Sequence, residues 1–169
     1  MRRRKNIVLI GMTGCGKTTV GLALSYRLKM PFIDMDAWIE KADGRPIPQI
    51  FAEDGEEGFR RLETKMAERM AKERGTIIST GGGIVTRPEN MKYLKRRGLV
   101  VYLNRSPKEI AKRIRLDTRP MLKGKTDGLL PMYEKRHPLY LKYADIEVKN
   151  HGSFAQGVEN VYRAVRGRI

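Results

Sequence analysis

One stretch, Gly11-Met-Thr-Gly-Cys-Gly16-Lys17-Thr18, limits what this chain can fold into more than anything else in it. It satisfies the pattern G-x-x-x-x-G-K-[ST] in full. It also lies where the chemistry needs it, between an apolar run, Ile7 to Ile10, and a segment that reads as a helix from Thr18 to Leu28. Glycines let such a loop wrap so that backbone N–H groups point inward at phosphate oxygens, and the helix start adds its positive dipole end. Gly14, Cys15, Gly16, Lys17, Thr18 and Thr19 are therefore candidate contacts for a nucleoside triphosphate. Lys17 would reach the β- and γ-phosphates, and the Thr18 hydroxyl would ligate Mg²⁺. Cys15 reads as a spacer whose backbone matters; the alternative is a thiol activated by the helix N-terminus.

The remainder alternates between short apolar runs and amphipathic segments, the order that predicts a parallel sheet covered by helices. Pro31 to Ile33, Thr76 to Ser79, Leu99 to Leu103 and Asp145 to Val148 read as strands. Helices are expected over Glu57 to Arg74, Pro88 to Arg97, Pro107 to about Arg115, Leu129 to Tyr143 (with a kink at Pro138) and Phe154 to Arg166. In the first of these, Phe59, Leu62, Met66 and Met70 form one apolar stripe. Thr118 to Gly128 reads as a loop. No linker or repeat interrupts residues 1–169, so one α/β three-layer domain with five strands is expected.

A phosphate loop alone does not separate a small-molecule kinase from a GTPase or a motor ATPase. Asn104 and Thr80 follow their strands where a magnesium-supporting aspartate is usual, so neither supplies one. Phe32-Ile33-Asp34-Met35-Asp36 does. Read as extended chain, it places Asp34 and Asp36 on one side, about 6–7 Å apart. Asp34 would then stand near magnesium and Asp36 near an acceptor hydroxyl. Gly81-Gly82-Gly83 follows a strand, on the edge where α/β sheets bind ligands. Arg60 and Arg136 could together fix a carboxylate, since a guanidinium fork matches its geometry. Either could equally be a surface arginine. His137 and His151 have no partner pattern for metal or nucleophilic catalysis and read as structural or solvent-facing.

The ordered set GMTGCGKTT, FIDMD, GEEGFRRLE, STGGGIV and DTRPMLKG followed by YEKRHPLY resembles shikimate kinase over essentially the whole chain. The resemblance implies transfer of the ATP γ-phosphoryl group to the 3-hydroxyl of shikimate, in the chorismate pathway of aromatic amino-acid biosynthesis. It also implies the P-loop, nucleoside monophosphate kinase-like fold, with strand order 2-3-1-4-5. A substrate-binding subregion (about 33–63) and a mobile lid (about 116–126) would flank the core. Carried over by position, Asp36 looks like the hydroxyl contact and base, and Asp34 like the magnesium-side acid. Arg60 and Arg136 look like the carboxylate clamp, with Gly81, Gly82 and Gly83 lining the substrate. Arg119 resembles the lid arginine that reaches the transferring phosphate, and Arg113 is a candidate adenine contact. Arg-Pro-Met-Leu stands here where the family more commonly has Arg-Pro-Leu-Leu.

Charge leaves a second class open. Lys and Arg number 35 against 19 Asp and Glu, a net +16. Between Lys92 and Lys125 twelve residues are basic, and only Glu109 and Asp117 are acidic. Such a balance suits a nucleic-acid binder as well as an enzyme handling several anionic groups. Aromatics at 7% and the lack of a reader motif weigh against nucleic acid. A kinase for gluconate or a nucleoside monophosphate stays open beside the shikimate reading. No run approaches the roughly 18–20 apolar residues of a membrane span. One cysteine excludes an intramolecular disulfide framework and suits a reducing compartment. A cytoplasmic enzyme is expected, monomeric, with no nucleic-acid or membrane partner.

Overall fold

Strand β1, Asn6–Ile10, is buried at all five positions. Successive side chains of a strand point to opposite faces, so a strand buried throughout lies at the centre of a sheet covered on both sides. The computed structural model, which describes residues 4–116 and 128–169, bears this out. β1 pairs in parallel with β3 (Ile77–Ser79) on one side and with β4 (Gly98–Asn104) on the other, Val8 lying opposite Ile78 and Val100. β2 (Phe32–Asp34) adds to β3, and β5 (Ile146–Lys149) to β4, giving the order β2-β3-β1-β4-β5 expected above. Each fully buried isoleucine or leucine of β1 stabilises the fold by roughly 1.5–3 kcal/mol.

Among the described residues seven helices join and cover these strands: α1 Lys17–Leu28, α2 Met35–Asp43, α3 Ile47–Met70, α4 Pro88–Lys95, α5 Pro107–Leu116, α6 Leu129–Tyr143 and α7 Phe154–Val165. A single 3-10 turn, Ile84–Thr86, precedes α4. α1 packs against α7, and α3 against α2 and α4. No helix among the described residues is long and apolar enough to cross a membrane.

Two expectations are corrected. The chain does not stay extended past Asp34. The Asp34 carboxylate accepts the Ala37 N–H at 3.1 Å, an N-cap that starts α2 immediately and puts Asp36 in its first turn. The helix expected from Glu57 begins ten residues earlier, at Ile47, and passes through a non-helical Gly55 (φ 68°). It ends at Met70, short of Arg74. The sequence reading places no element at Met35–Asp43 or at the 3-10 turn Ile84–Thr86; the other elements agree with it to within two residues at each end. The expected lid and Arg119 lie outside the described residues.

Candidate active site at the carboxyl edge of the sheet

Every predicted site residue among the described residues lies at or near the carboxyl ends of the strands. Beyond β1 the chain turns through Gly11, Gly14 and Gly16 at φ 147°, 82° and 101°. Side chains strongly disfavour those angles, so the motif's glycines are what lets the loop close. Gly16 caps α1, and Lys17, only 7% exposed, folds back over the loop. Its Nζ donates to the carbonyls of Gly11 (2.7 Å) and Met12 (2.9 Å) and lies 3.8 Å from Cys15 Sγ. The buried Cys15 thus lines the loop from inside. The Thr19 hydroxyl donates to Gly16 O at 3.1 Å. Arg113 Nη1 lies 3.2 Å from where a Cβ on Gly16 would stand, which places it at the loop's lip.

The Thr18 hydroxyl donates to Asp34 Oδ2 at 2.8 Å and lies 3.4 Å from Ser79 Oγ. A hydroxyl and a carboxylate beside a phosphate loop suit Mg²⁺, which takes one or two protein oxygens and completes its shell with phosphate and water. These two residues fit the metal the motif implies.

Across the cleft the glycine run after β3 is gripped by charged side chains. Asp36 Oδ1 and Glu63 Oε1 both face Gly81: a Cβ there would lie 3.1 Å from the first and 3.0 Å from the second. Both oxygens are buried without a hydrogen-bond partner within the described residues. Burial, then the nearby charges of Asp34 and Glu63, push Asp36 up to about 6, against the pull of Lys17. Burial also raises Glu63, which Arg60 opposes. Arg60, itself 8% exposed, donates to Glu63 Oε2 at 2.8 Å and to Glu56 Oε1 at 3.3 Å. Its guanidinium lies flat on Gly83, where any Cβ would collide with both Nη atoms. Arg136 reaches the same run from α6, its Nη1 3.4 Å from the Cβ position of Gly82. Tyr140, one turn on, donates to Gly82 O at 2.6 Å.

The structure therefore brings Asp36, Arg60, Arg136 and the three glycines together, beside Lys17, Thr18 and Asp34. Glu63 was missed. It sits three residues after Arg60 on a mostly polar helix, where an acidic residue ordinarily faces water. Its 1% exposure and its place against Gly81 are tertiary facts. His137 is structural, as read: its Nδ1 lies 2.9 Å from the Tyr102 hydroxyl and its ring stacks on Tyr133. His151 is exposed and pairs with Glu109 at 2.6 Å.

A phosphate loop facing a cluster of arginines and carboxylates is the layout of a small-molecule kinase, and comparison with known proteins narrows the class. The profile of the shikimate kinase family matches residues 13–166. The chain is 36% identical over 162 residues to shikimate kinase of Clostridium beijerinckii, covering 96% of this chain and 95% of that one. It is 42% identical to that of Dechloromonas aromatica, covering 94% and 88%. Among solved structures, shikimate kinase from Acinetobacter baumannii in complex with shikimate superposes with a TM-score of 0.88 at 33% identity, covering 98% of this chain and 94% of that one. Profile, sequence and fold agree over nearly the whole length, and the chain belongs to the shikimate kinase family.

Proposed function

We propose that this protein transfers the γ-phosphoryl group of ATP to the 3-hydroxyl of shikimate. The observation that carries this reading is the buried Asp36, its Oδ1 unpartnered, set between a phosphate-loop lysine and two arginines that converge on one glycine run.

Phosphoryl transfer asks for alignment and charge neutralisation more than covalent chemistry. Lys17 is poised to exchange the carbonyls of Gly11 and Met12 for β- and γ-phosphate oxygens, while the inward N–H groups of residues 14–19 hold the same phosphates. Thr18 and Asp34 would hold magnesium, which would supply neutralising charge at the phosphates. Arg113 at the lip takes the adenine side. Opposite, Arg60 and Arg136 fix the acceptor carboxylate and so orient the ring. Asp36 accepts the proton of the attacking hydroxyl, and a pKa near 6 leaves it ionised yet basic at neutral pH. The role of Arg119, contact with the transferring phosphate, rests on its place in the motif Arg-Pro-Met-Leu alone. A single buried cysteine and a core closed by its own helices favour a cytoplasmic monomer.

The decisive experiment is a coupled assay of ADP release. Shikimate should elicit saturable turnover. Gluconate, nucleoside monophosphates and single-stranded DNA should leave the rate at background. No turnover above background with shikimate would refute the reading.

A further inference from the structure

Asn104 closes β4 and Arg105 follows it directly; both are buried, at 8% and 6% exposed. Neither belongs to the machinery assigned above. Their side chains fasten different parts of the molecule.

Asn104 fastens α6. Its Oδ1 accepts from the hydroxyls of Tyr102 (3.1 Å) and Tyr133 (3.0 Å), and its Nδ2 donates to Glu147 Oε1 on β5 at 2.7 Å. Tyr133 stacks on His137, which meets the Tyr102 hydroxyl; Tyr102 in turn stacks on Tyr140, the residue that holds Gly82. Tyr133, His137 and Tyr140 lie three residues before, one after and four after Arg136. The helix is thus pinned on both sides of the arginine that faces the acceptor.

Arg105 fastens the segment after β5. Its Nε donates to Asn150 O (2.8 Å) and its Nη2 to Gly152 O (3.0 Å). Asn150 in turn donates from Nδ2 to the Cys15 carbonyl at 3.2 Å, which ties that segment to the outer side of the phosphate loop. A buried guanidinium bonded to two carbonyls is worth more than a neutral contact, and its removal leaves both acceptors stranded.

We infer that Asn104 and Arg105 are positioning residues that divide the site between them. Asn104 sets the acceptor side through α6 and Arg136, and Arg105 sets the nucleotide side through residues 150–152 and Cys15. The acceptor half of this inference rests on the role proposed for Arg136.

The test compares Asn104→Ala and the milder Tyr133→Phe with Arg105→Ala and the milder Arg105→Lys. Tyr133→Phe keeps the ring stack and loses one hydroxyl; Arg105→Lys keeps the charge and loses the fork. KM for each substrate would be measured, together with calorimetric Kd values for shikimate and for ADP. The first pair should raise KM and Kd for shikimate by about tenfold with nucleotide values unchanged, and the second pair should do the reverse. The double variant Tyr133→Phe/Arg105→Lys should show both shifts independently. A merely structural role would move both substrates together, or neither beyond the fall in thermal midpoint, and either result overturns the division. If the wild type neither binds nor turns over shikimate, the acceptor reading fails instead. ADP affinity then still decides the inference: it must fall in Arg105→Lys and hold in Asn104→Ala.

Discussion

The two sides of the cleft are built by opposite means. The phosphate side is backbone: three glycines at positive φ, a lysine held by two carbonyls and a hydroxyl donating to the Gly16 carbonyl. The side proposed for the acceptor is side-chain charge from three separated segments, Asp36 on α2, Arg60 and Glu63 on α3, and Arg136 on α6, gathered round the glycine run after β3. The first is locally satisfied. The second carries two buried carboxylate oxygens, on Asp36 and Glu63, with no hydrogen-bond partner within the described residues. Triphosphate is a ligand common to many enzymes and can be bound by one contiguous motif. A particular small molecule must be met from several directions, and buried polar groups left without a protein partner are suited to being satisfied by a ligand.

The most damaging way to break the acceptor side without touching the phosphate side is Asp36→Asn. The substitution keeps volume and removes the base. Turnover should fall on the order of 10²–10⁴-fold while KM for ATP stays near its original value. In the wild type, kcat/KM should decline as pH drops through about 6, because Asp36 is then protonated and cannot accept the hydroxyl proton. A variant retaining full kcat would remove Asp36 from the chemistry and leave it a binding residue.

The same substitution should stabilise the fold, an effect the phosphate side cannot reproduce because its buried partners are neutral carbonyls. Burial, Asp34 and Glu63 raise Asp36 from 3.8 to about 6. Between those values the native chain holds a proton that the unfolded chain has released, so stability falls as pH rises through that window. Above about pH 6 the native state carries the buried carboxylate and the cost is fully present. Asp36→Asn removes that cost, a gain of up to about 3 kcal/mol at about pH 8. The gain should shrink through pH 6 and vanish near about pH 4, where wild-type Asp36 is protonated in both states. Thermal unfolding followed across pH measures it; a pH-independent difference would mean that Asp36 titrates normally.

The same contrast governs what could be read from sequence. The phosphate loop was legible because its mechanism is local: spacing, glycines and the lysine sit on one continuous stretch between an apolar strand and a helix. Strands β1, β3 and β4 were legible because strands buried on both faces leave near-continuous apolar runs. Asp34 and Asp36 were found for partly the wrong reason. Alternation suggested extended chain, while the Asp34 side chain in fact caps a helix, and a cap and a strand end share the same residue types. Glu63 could not be found, because its meaning depends on Asp36 and Gly81, which are distant in sequence. Asn104 was noticed only as an absent aspartate, yet its carboxamide holds two tyrosines and a glutamate that no spacing connects.

Gly83→Ala offers the gentlest cut between the two sides. On the phosphate side an alanine at Gly14 or Gly16 would force φ angles of 82° or 101° on a residue with a side chain, so strain and lost binding would arrive together. Gly83 has φ −89°, which alanine adopts freely. The three atoms nearest the added methyl all belong to the guanidinium of Arg60, the far end of a flexible side chain. The fold should therefore tolerate it with little change in thermal midpoint. Arg60 is pushed off the glycine run and loses its alignment with Arg136, while the Glu63 carboxylate keeps it nearby. KM for shikimate should rise about tenfold, equivalent to about 1.4 kcal/mol, with kcat and KM for ATP nearly unchanged. A matched rise in both KM values would mean that the glycine run serves the nucleotide as well, and the boundary between a backbone-built and a charge-built half would have to move.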